Sequence, residues 1–457
     1  MKILKILAAS VIGAAGFVTA AFADDGRYIL LMKSKNSVPG NLASQVESAG
    51  GTLVRTIPQV GVAVATSSDP NFAANAKSIG AVKDAGPAAV STLPESVATA
   101  EPDMTPTAAD DLYNSGLVWG VDRVGAPAAW ANGHTGSHDT IIAIIDTGIA
   151  WNHPDLASNV VYVDCYTSAG SFADGACNPY PSLSDHGTHV AGSAAASFDG
   201  GRVVGVAPEA GLAGYNTFEV IPDCGVCSFT DSRWAAMVDA ADRGFSVISM
   251  SLGGTAQYGG QGTNGLATYV AAEKRVANYV NKQGTVMVAS AGNSALDLNG
   301  TIIHVPGDIP QIMNVGATGI QPAPRFPFPN SFDIRAFYSN YGAPLTVTGP
   351  GGDCGEISTC SGNPVNGYFY AEFLVLSSIV APDPVCAATA SCPVGYGWKG
   401  GTSMATPHVS AVVSLVRDAE PGLKPNQVEA RVKQTAENIG SRQDFGHGMV
   451  RADLATE

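Results

Sequence analysis

Charge is scarce in this chain of 457 residues. Only 14% of positions are Asp, Glu, Lys or Arg, and cations are the smaller share: 24 Lys and Arg against 39 Asp and Glu, a net charge of −15. That balance argues against nucleic acid or an anionic membrane as the main partner, because both are bound largely through Lys and Arg. Beyond the N-terminus no apolar run is long enough to cross a bilayer. No internal repeat at a solenoid period is present. Cys224-x-x-Cys227 lacks the second Cys/His pair nearby that a zinc site needs, and the fold context of a redox motif. With 45% hydrophobic residues and 53 glycines, the composition is that of a compact, loop-rich globular chain. Its length suits one large domain plus a smaller one.

What is present begins with an export signal. Lys2 and Lys5 form a basic start, residues 6–20 an apolar run, and Ala21-Phe22-Ala23 a small-x-small cleavage site. Residues 1–23 are therefore read as a signal peptide, with the protein secreted to the medium or held in the periplasm. The eight cysteines are Cys165, Cys177, Cys224, Cys227, Cys354, Cys360, Cys386 and Cys392. An even count in an exported chain implies disulfides, though sequence alone leaves the pairing open. Their grouping into four close pairs predicts four local bridges, neighbour to neighbour.

Residues 24–92 read as a small α+β unit. Strand-like runs at 27–32, 52–57, 61–66 and 81–90 alternate with helical spacing at 42–49 and 71–79, the βαββαβ order of a ferredoxin-like unit. Residues 93–111 are rich in Pro, Thr, Ala and acid, the composition of an exposed, cleavable linker. From 112 to 457 short β-branched runs alternate with helical ones. Strands are expected at 140–145, 212–215, 247–251, 286–290, 312–317 and 345–347. Helices are expected at 186–197, 232–243, 267–283, 402–417 and 426–435. This alternation predicts a three-layer α/β fold with a mainly parallel sheet flanked by helices. Sites in such sheets lie beyond the carboxyl ends of the strands.

Three residues there carry chemistry. Asp146 ends the run 140–145. His186 stands at the mouth of an Ala-rich helix. Ser403, after Gly400-Gly401-Thr402, opens a long apolar helix whose N-terminus can stabilise developing negative charge. Pro407 is expected in the first turn of that helix, where a missing N–H costs little. Singly, each has a bland reading: a turn Asp, half of a His186/His189 metal pair, an N-cap serine. Together they supply what a weak hydroxyl nucleophile needs, a base within reach and an acid to orient it.

The order Asp, His, Ser, with its flanks, resembles the subtilisin-like serine proteases, the subtilase family. The matching words are Asp146-Thr147-Gly148-Ile149 with His153-Pro154-Asp155-Leu156, His186-Gly187-Thr188-His189-Val190-Ala191-Gly192, Gly205-Val206-Ala207-Pro208, Ser251-Leu252-Gly253-Gly254, Ala291-Gly292-Asn293, and Gly401-Thr402-Ser403-Met404-Ala405-Thr406-Pro407-His408. The resemblance implies a serine endopeptidase acting on protein or peptide substrates, with Asn293 in the oxyanion hole. It implies a substrate strand laid on Ser251, Leu252, Gly253 and Gly254, with residues 224–228 as the opposite edge. It implies a structural calcium ion on Asp155 and Asp199, although Arg202 departs from the usual loop, and no cofactor for catalysis. It further implies that residues 24–92 are a propeptide, chaperone and inhibitor of its own enzyme, with self-cleavage between about Glu101 and Leu112. The product would be a secreted monomer. His153, His189 and His408 are read as structural. A lipase is disfavoured, because G-x-S-x-G fails at Ala405 and the residue order is reversed. The complete set of Asp146, His186 and Ser403, with Asn293, counts against a catalytically dead binding protein on this fold. An exopeptidase on the same fold stays open.

Overall fold

The computed structural model describes residues 26–93, 97–100, 108–198, 200–258, 265–320, 333–353 and 373–457. The signal segment lies outside them, as do Asp199, Cys354 and Cys360.

The small unit contains β1 (Arg27–Met32), α1 (Leu42–Ser48), β2 (Thr52–Ile57), β3 (Val62–Thr66), α2 (Phe72–Lys77) and β4 (Val82–Pro87), in the order expected. Its sheet runs β2-β3-β1-β4 and is antiparallel throughout. Strand alternation sends Leu30, Met32, Ala63 and Ala65 against Leu42, Val46, Phe72 and Ala76 of the two helices. Ile29, Leu31 and Val62 point the other way, into a core shared with the large domain.

Two short strands follow, β5 (Val90–Thr92) and β6 (Val97–Ala100). The large domain then supplies β7 (Ile141–Asp146), β8 (Val160–Thr167), β9 (Gly211–Asn216), β10 (Gly225–Phe229), β11 (Val247–Met250), β12 (Gly254–Gln257), β13 (Val286–Ser290), β14 (Ile302–Val305), β15 (Ile312–Ile320), β16 (Asp333–Arg335), β17 (Val347–Pro350), β18 (Val375–Val380) and β19 (Val394–Gly400). Its principal helices are α3 (His186–Ala195), α4 (Thr230–Asp242), α5 (Leu266–Gln283), α6 (Thr402–Ala419) and α7 (Pro425–Thr435). The central sheet has nine strands in the order β16-β15-β13-β11-β7-β9-β8, with Gly170–Ser171 beyond β8 and β17 also on β15. Only the pairings of β16 and of Gly170–Ser171 are antiparallel.

β7 shows why the sheet is central. Ile142 and Ile144 face one core with Val190 and Ala194 of α3 and Val409 and Val412 of α6. Ala143 and Ile145 face the other, with Trp234 and Met237 of α4 and Val276 and Val280 of α5. A β-branched run buried on both faces is what a parallel central strand requires. The fold is thus the three-layer α/β class expected. Among the described residues no helix is long and apolar enough to cross a membrane.

Some expectations shift. The strand expected at 345–347 forms at 347–350, because the Leu345 N–H closes a turn onto the Gly342 carbonyl. The linker 93–111 is docked wherever it is described. Val97–Ala100 pairs with β19, the Asp110 N–H donates to the Gly201 carbonyl, and Asp111 forms a 2.6 Å ion pair with Arg202. An open strand edge and a cation supply partners that composition does not reveal. Three of the four expected bridges are formed: Cys165–Cys177, Cys224–Cys227 and Cys386–Cys392. The fourth lies outside the described residues.

Candidate functional site

Asp146 is the last residue of β7 and is fully buried. Its Oδ1 accepts the Thr147 N–H at 2.8 Å, and its two oxygens stand 2.9 and 3.0 Å from Nδ1 of His186. The Thr147 hydroxyl accepts the Gly187 N–H at 2.9 Å and donates to the Ser184 carbonyl at 3.1 Å, tying the strand end to the start of α3. A side chain at Gly187 would collide with the Gly148 carbonyl, so glycine is needed there. Nε2 of His186 is buried and has no hydrogen-bond partner among the described residues. Lys399 pairs with Asp185 at 3.0 Å beside it.

Ser403 is the second residue of α6. Its hydroxyl donates to the Ser251 carbonyl at 3.2 Å, and the Ser251 hydroxyl donates to the Ser403 carbonyl at 2.8 Å. Pro407 explains the second bond. It lies inside the helix, one turn deeper than expected. The N–H it lacks is the one that would have bonded the Ser403 carbonyl four residues back. Ser251 takes that place.

Asn293 follows β13 through Ala291-Gly292. Its Oδ1 accepts the Thr402 N–H at 2.9 Å and the Thr402 hydroxyl at 2.7 Å. With Oδ1 held, Nδ2 is turned away from Thr402, in the neighbourhood of Gly401.

A strand of the chain itself lies across this group. Val90, Ser91 and Thr92 pair antiparallel with Phe229, Ser228 and Cys227 of β10. On the other side Thr92 makes both bonds of a bridge with Gly253, N–H to carbonyl at 2.9 Å and carbonyl to N–H at 3.2 Å. The segment 251–254 and the edge at 224–228 are thus two walls with a strand between them. Leu252 itself packs its side chain into the core. Further along, β6 pairs Val97 with Gly400, the approach to Ser403.

The other histidines fasten structure. Burial pushes His153 and His408 down to about 4. Burial first, then Lys399 and His186, holds His189 well below the usual imidazole range. Neutral, they bond the carbonyls of Gly395, of Met404, and of Val375 and Gly397 respectively. His186 and His189 therefore do not form a metal pair.

Asp155 does not fit a calcium ion. One oxygen accepts the Arg202 N–H at 2.9 Å and the other the Ser378 hydroxyl at 3.1 Å. Tyr396 and the Val203 N–H also bond this carboxylate. Calcium needs several oxygens with free lone pairs, and these donors consume them. The nearby cation is Arg202, whose guanidinium is held by Asp111. Among the described residues no group of three or more His, Cys, Asp or Glu is placed to hold a metal. Asp199, the other expected ligand, lies outside them.

The Thr402 clamp on Asn293 and the Ser251–Ser403 exchange were not readable in advance, because threonine and serine beside glycines have many ordinary uses. Pro407 was the one available signal: it orphans a carbonyl, and that carbonyl needs a donor.

An anion bonded behind a buried imidazole, a serine at the start of a helix and an extended strand held between two walls are features of the serine peptidases, here on a parallel α/β sheet. The particular family follows from comparison. The subtilase family model matches residues 137–448, and the chain belongs to that family. It is a serine endopeptidase. It is 32% identical over 342 residues to alkaline elastase YaB of Bacillus sp. (strain YaB), covering 74% of this chain and 70% of that protein. It is 30% identical over 350 residues to subtilisin NAT of Bacillus subtilis subsp. natto, covering 76% and 72%. The solved structure of fervidolysin from Fervidobacterium pennivorans, a keratinolytic enzyme related to subtilisin, superposes with a TM-score of 0.69 at 24% identity. That match covers 94% of this chain and 60% of fervidolysin.

Proposed function

We propose that this is an exported, self-processing endopeptidase, synthesised as a precursor, in which Asp146, His186 and Ser403 act as one unit. Ser403 Oγ turns from the Ser251 carbonyl to Nε2 of His186 and attacks the scissile carbonyl as His186 takes its proton. The tetrahedral oxyanion is met by Nδ2 of Asn293 and the Ser403 N–H. Its collapse breaks the C–N bond, and His186 returns the proton to the leaving amine. Water, deprotonated by the same imidazole, then releases the acid and restores Ser403. Asp146 holds the imidazole's tautomer and stabilises its cation. The observation that carries this reading is the 2.9 Å bond from buried Asp146 to His186, with the opposite ring nitrogen buried and without a partner among the described residues. No cofactor takes part.

Residues 24–92 act as the propeptide. Its tail, Val90–Thr92, occupies the place of a substrate strand between Gly253 and β10. Val97–Ala100 is seated on β19, which leads into Ser403. The bond cut in maturation therefore falls between Thr92 and Val97, upstream of the window at Glu101 to Leu112. Residues 1–23 direct export, and the mature enzyme acts as a monomer on protein or peptide substrates.

Intact mass after incubation tests this reading. The wild-type precursor sheds a fragment ending between Thr92 and Val97, while Ser403→Ala stays whole. Equal processing of both assigns maturation to another protease. No processing, together with no labelling by a serine-directed phosphonate, moves the chain to the binding proteins.

A further inference from the structure

Two arginines of the small unit converge on one carboxylate of the large domain. Arg27 of β1 grips both oxygens of Asp231, at 2.9 and 2.8 Å, with its guanidinium 4.3 Å from the centre of the Phe229 ring. Arg55 of β2 stands 3.4 Å from the same carboxylate and donates to the main-chain carbonyls of Asp231 and Thr167. Its guanidinium lies 6.0 Å from the centre of the Tyr166 ring. A carboxylate, two aromatic faces and two carbonyls make a receptacle for planar cations. Every one of these receiving groups belongs to the large domain. Asp231 is fixed in the first turn of α4, Phe229 ends β10, and Tyr166 and Thr167 end β8 beside the Cys165–Cys177 bridge. If residues 24–92 leave as proposed, the receptacle stays behind without its arginines.

The receptacle stands at the end of the course along which a substrate strand is proposed to run. Val90, Ser91 and Thr92 pair with Phe229, Ser228 and Cys227. Further back, the Ala89 carbonyl accepts the Thr230 N–H at 3.1 Å, and the Ala88 N–H donates to the Arg27 carbonyl at 2.8 Å. An extended chain on this course thus follows β10 to Thr230, and Asp231 is the next residue. Its residue at the place of Ala88 stands one strand spacing, about 4.8 Å, from the main chain of Arg27. An arginine carried there, or at an adjoining position, can set its guanidinium where that of Arg27 lies.

We propose that the matured enzyme uses Asp231, Phe229 and Tyr166 to bind an arginine side chain of a polypeptide substrate, several residues upstream of the cut bond, at or next to the place of Ala88. This rests on the peptidase reading of Ser403 and on the propeptide reading of residues 24–92. Asp231 takes the guanidinium through both oxygens, and Phe229 meets its flat face. Arginine is favoured over lysine, because an ammonium has no planar fork to match two oxygens and no face to stack. An acidic side chain is repelled. Selection at this distance acts on proteins and long peptides, since a short peptide ends before Thr230 is reached.

The test uses the matured enzyme and end-capped, internally quenched peptides that share one cleavable core. A single Arg replaces Ala at successive positions from the fourth to the tenth upstream of the cut. At one or two adjoining positions Arg should raise kcat/KM about tenfold over Ala, Lys about threefold or less, and Glu should lower it. The gain should shrink in about 1 M salt. Asp231→Asn should abolish it, and Phe229→Leu should erode the advantage of Arg over Lys. Each gain is read as a ratio to the core peptide with three upstream residues, so that a general loss of activity cancels. The Asp231→Asn precursor also carries Arg27→Gln, so that Arg27 is not buried without its carboxylate during folding; that second change departs with the propeptide. If Arg gains nothing over Ala at any position, or Asp231→Asn keeps the gain, the site does not bind substrate arginine. If the core peptide is not cleaved and the phosphonate does not label Ser403, the peptidase reading itself has failed. If the active enzyme still carries residues 24–92 by intact mass, the propeptide reading has failed, and the proposal with it.

Discussion

Arg27 offers the sharpest perturbation of the small unit's hold on the large one. It reaches from β1 to Asp231 in the first turn of α4, with Nε to Oδ1 at 2.9 Å and one terminal nitrogen to Oδ2 at 2.8 Å. Both residues are almost fully buried, and the guanidinium stands 4.3 Å above the Phe229 ring. Arg27→Met keeps much of the bulk but leaves Asp231 buried without its bidentate partner. Removing one member of a buried pair costs about 3–5 kcal/mol. Arg55, 3.4 Å from the same carboxylate, and the helix N-terminus soften the loss, so about 3 kcal/mol is expected. The assay is urea unfolding of the Ser403→Ala precursor, in which processing is blocked. Asp231→Leu combined with Arg27→Met should recover most of the loss, because two apolar groups can replace a buried pair at little cost. If residues 24–92 leave as the proposed propeptide, the Asp231→Leu mature enzyme should melt like its parent, because that position is then uncovered. A loss below about 1 kcal/mol in Arg27→Met, or a double variant no better than Arg27→Met, would refute the claim that this pair anchors the unit.

Asn293→Ala should lower kcat by about 10²–10³-fold if Nδ2 meets the oxyanion as proposed; steady-state kinetics decide it. Chelation should shift the melting temperature of wild type and Asp155→Ala by the same amount, because Asp155 is saturated by protein donors; a chelator effect lost only in Asp155→Ala would restore the calcium site. His408, held to about 4 by burial, is neutral in the fold and charged when unfolded below about 6.5. Its contribution to stability is therefore present above that pH and is lost as pH falls toward 4. His408→Gln should shrink the difference in unfolding free energy between pH 7 and pH 4.5 by about 2–3 kcal/mol, and an unchanged difference would sink this account.

Much of the architecture was legible because the signals were periodic. The runs at 141–146 and 286–290 are short and apolar on both faces, and both became central strands. Helices at 402–419 and 266–283 matched their apolar spacing to within two residues at each end. The edge strand Val160–Thr167 escaped, because its half-exposed faces mix Asp164 with apolar residues and blur the alternation. The β18–β19 hairpin escaped because Ser377, Ser378 and Gly397 sit in its interior. At the site, Asp146 and His186 could be paired from their flanks alone. Nothing local could show that residues 90–92 would lie between 251–254 and 224–228. That contact joins segments well over a hundred positions apart, and only the closed fold creates it.

The proline within α6 has a further effect. Because the main-chain oxygen of Ser403 is released from its own helix, it is tethered by Ser251 instead, and the Ser251 carbonyl in turn receives the Ser403 hydroxyl. Two reciprocal bonds thus latch the proposed nucleophile to the segment on which a peptide is proposed to lie. If a peptide lies along Gly253 as proposed, it rests on a segment bonded to the Ser403 hydroxyl, and long peptides should then gain in turnover as well as in affinity.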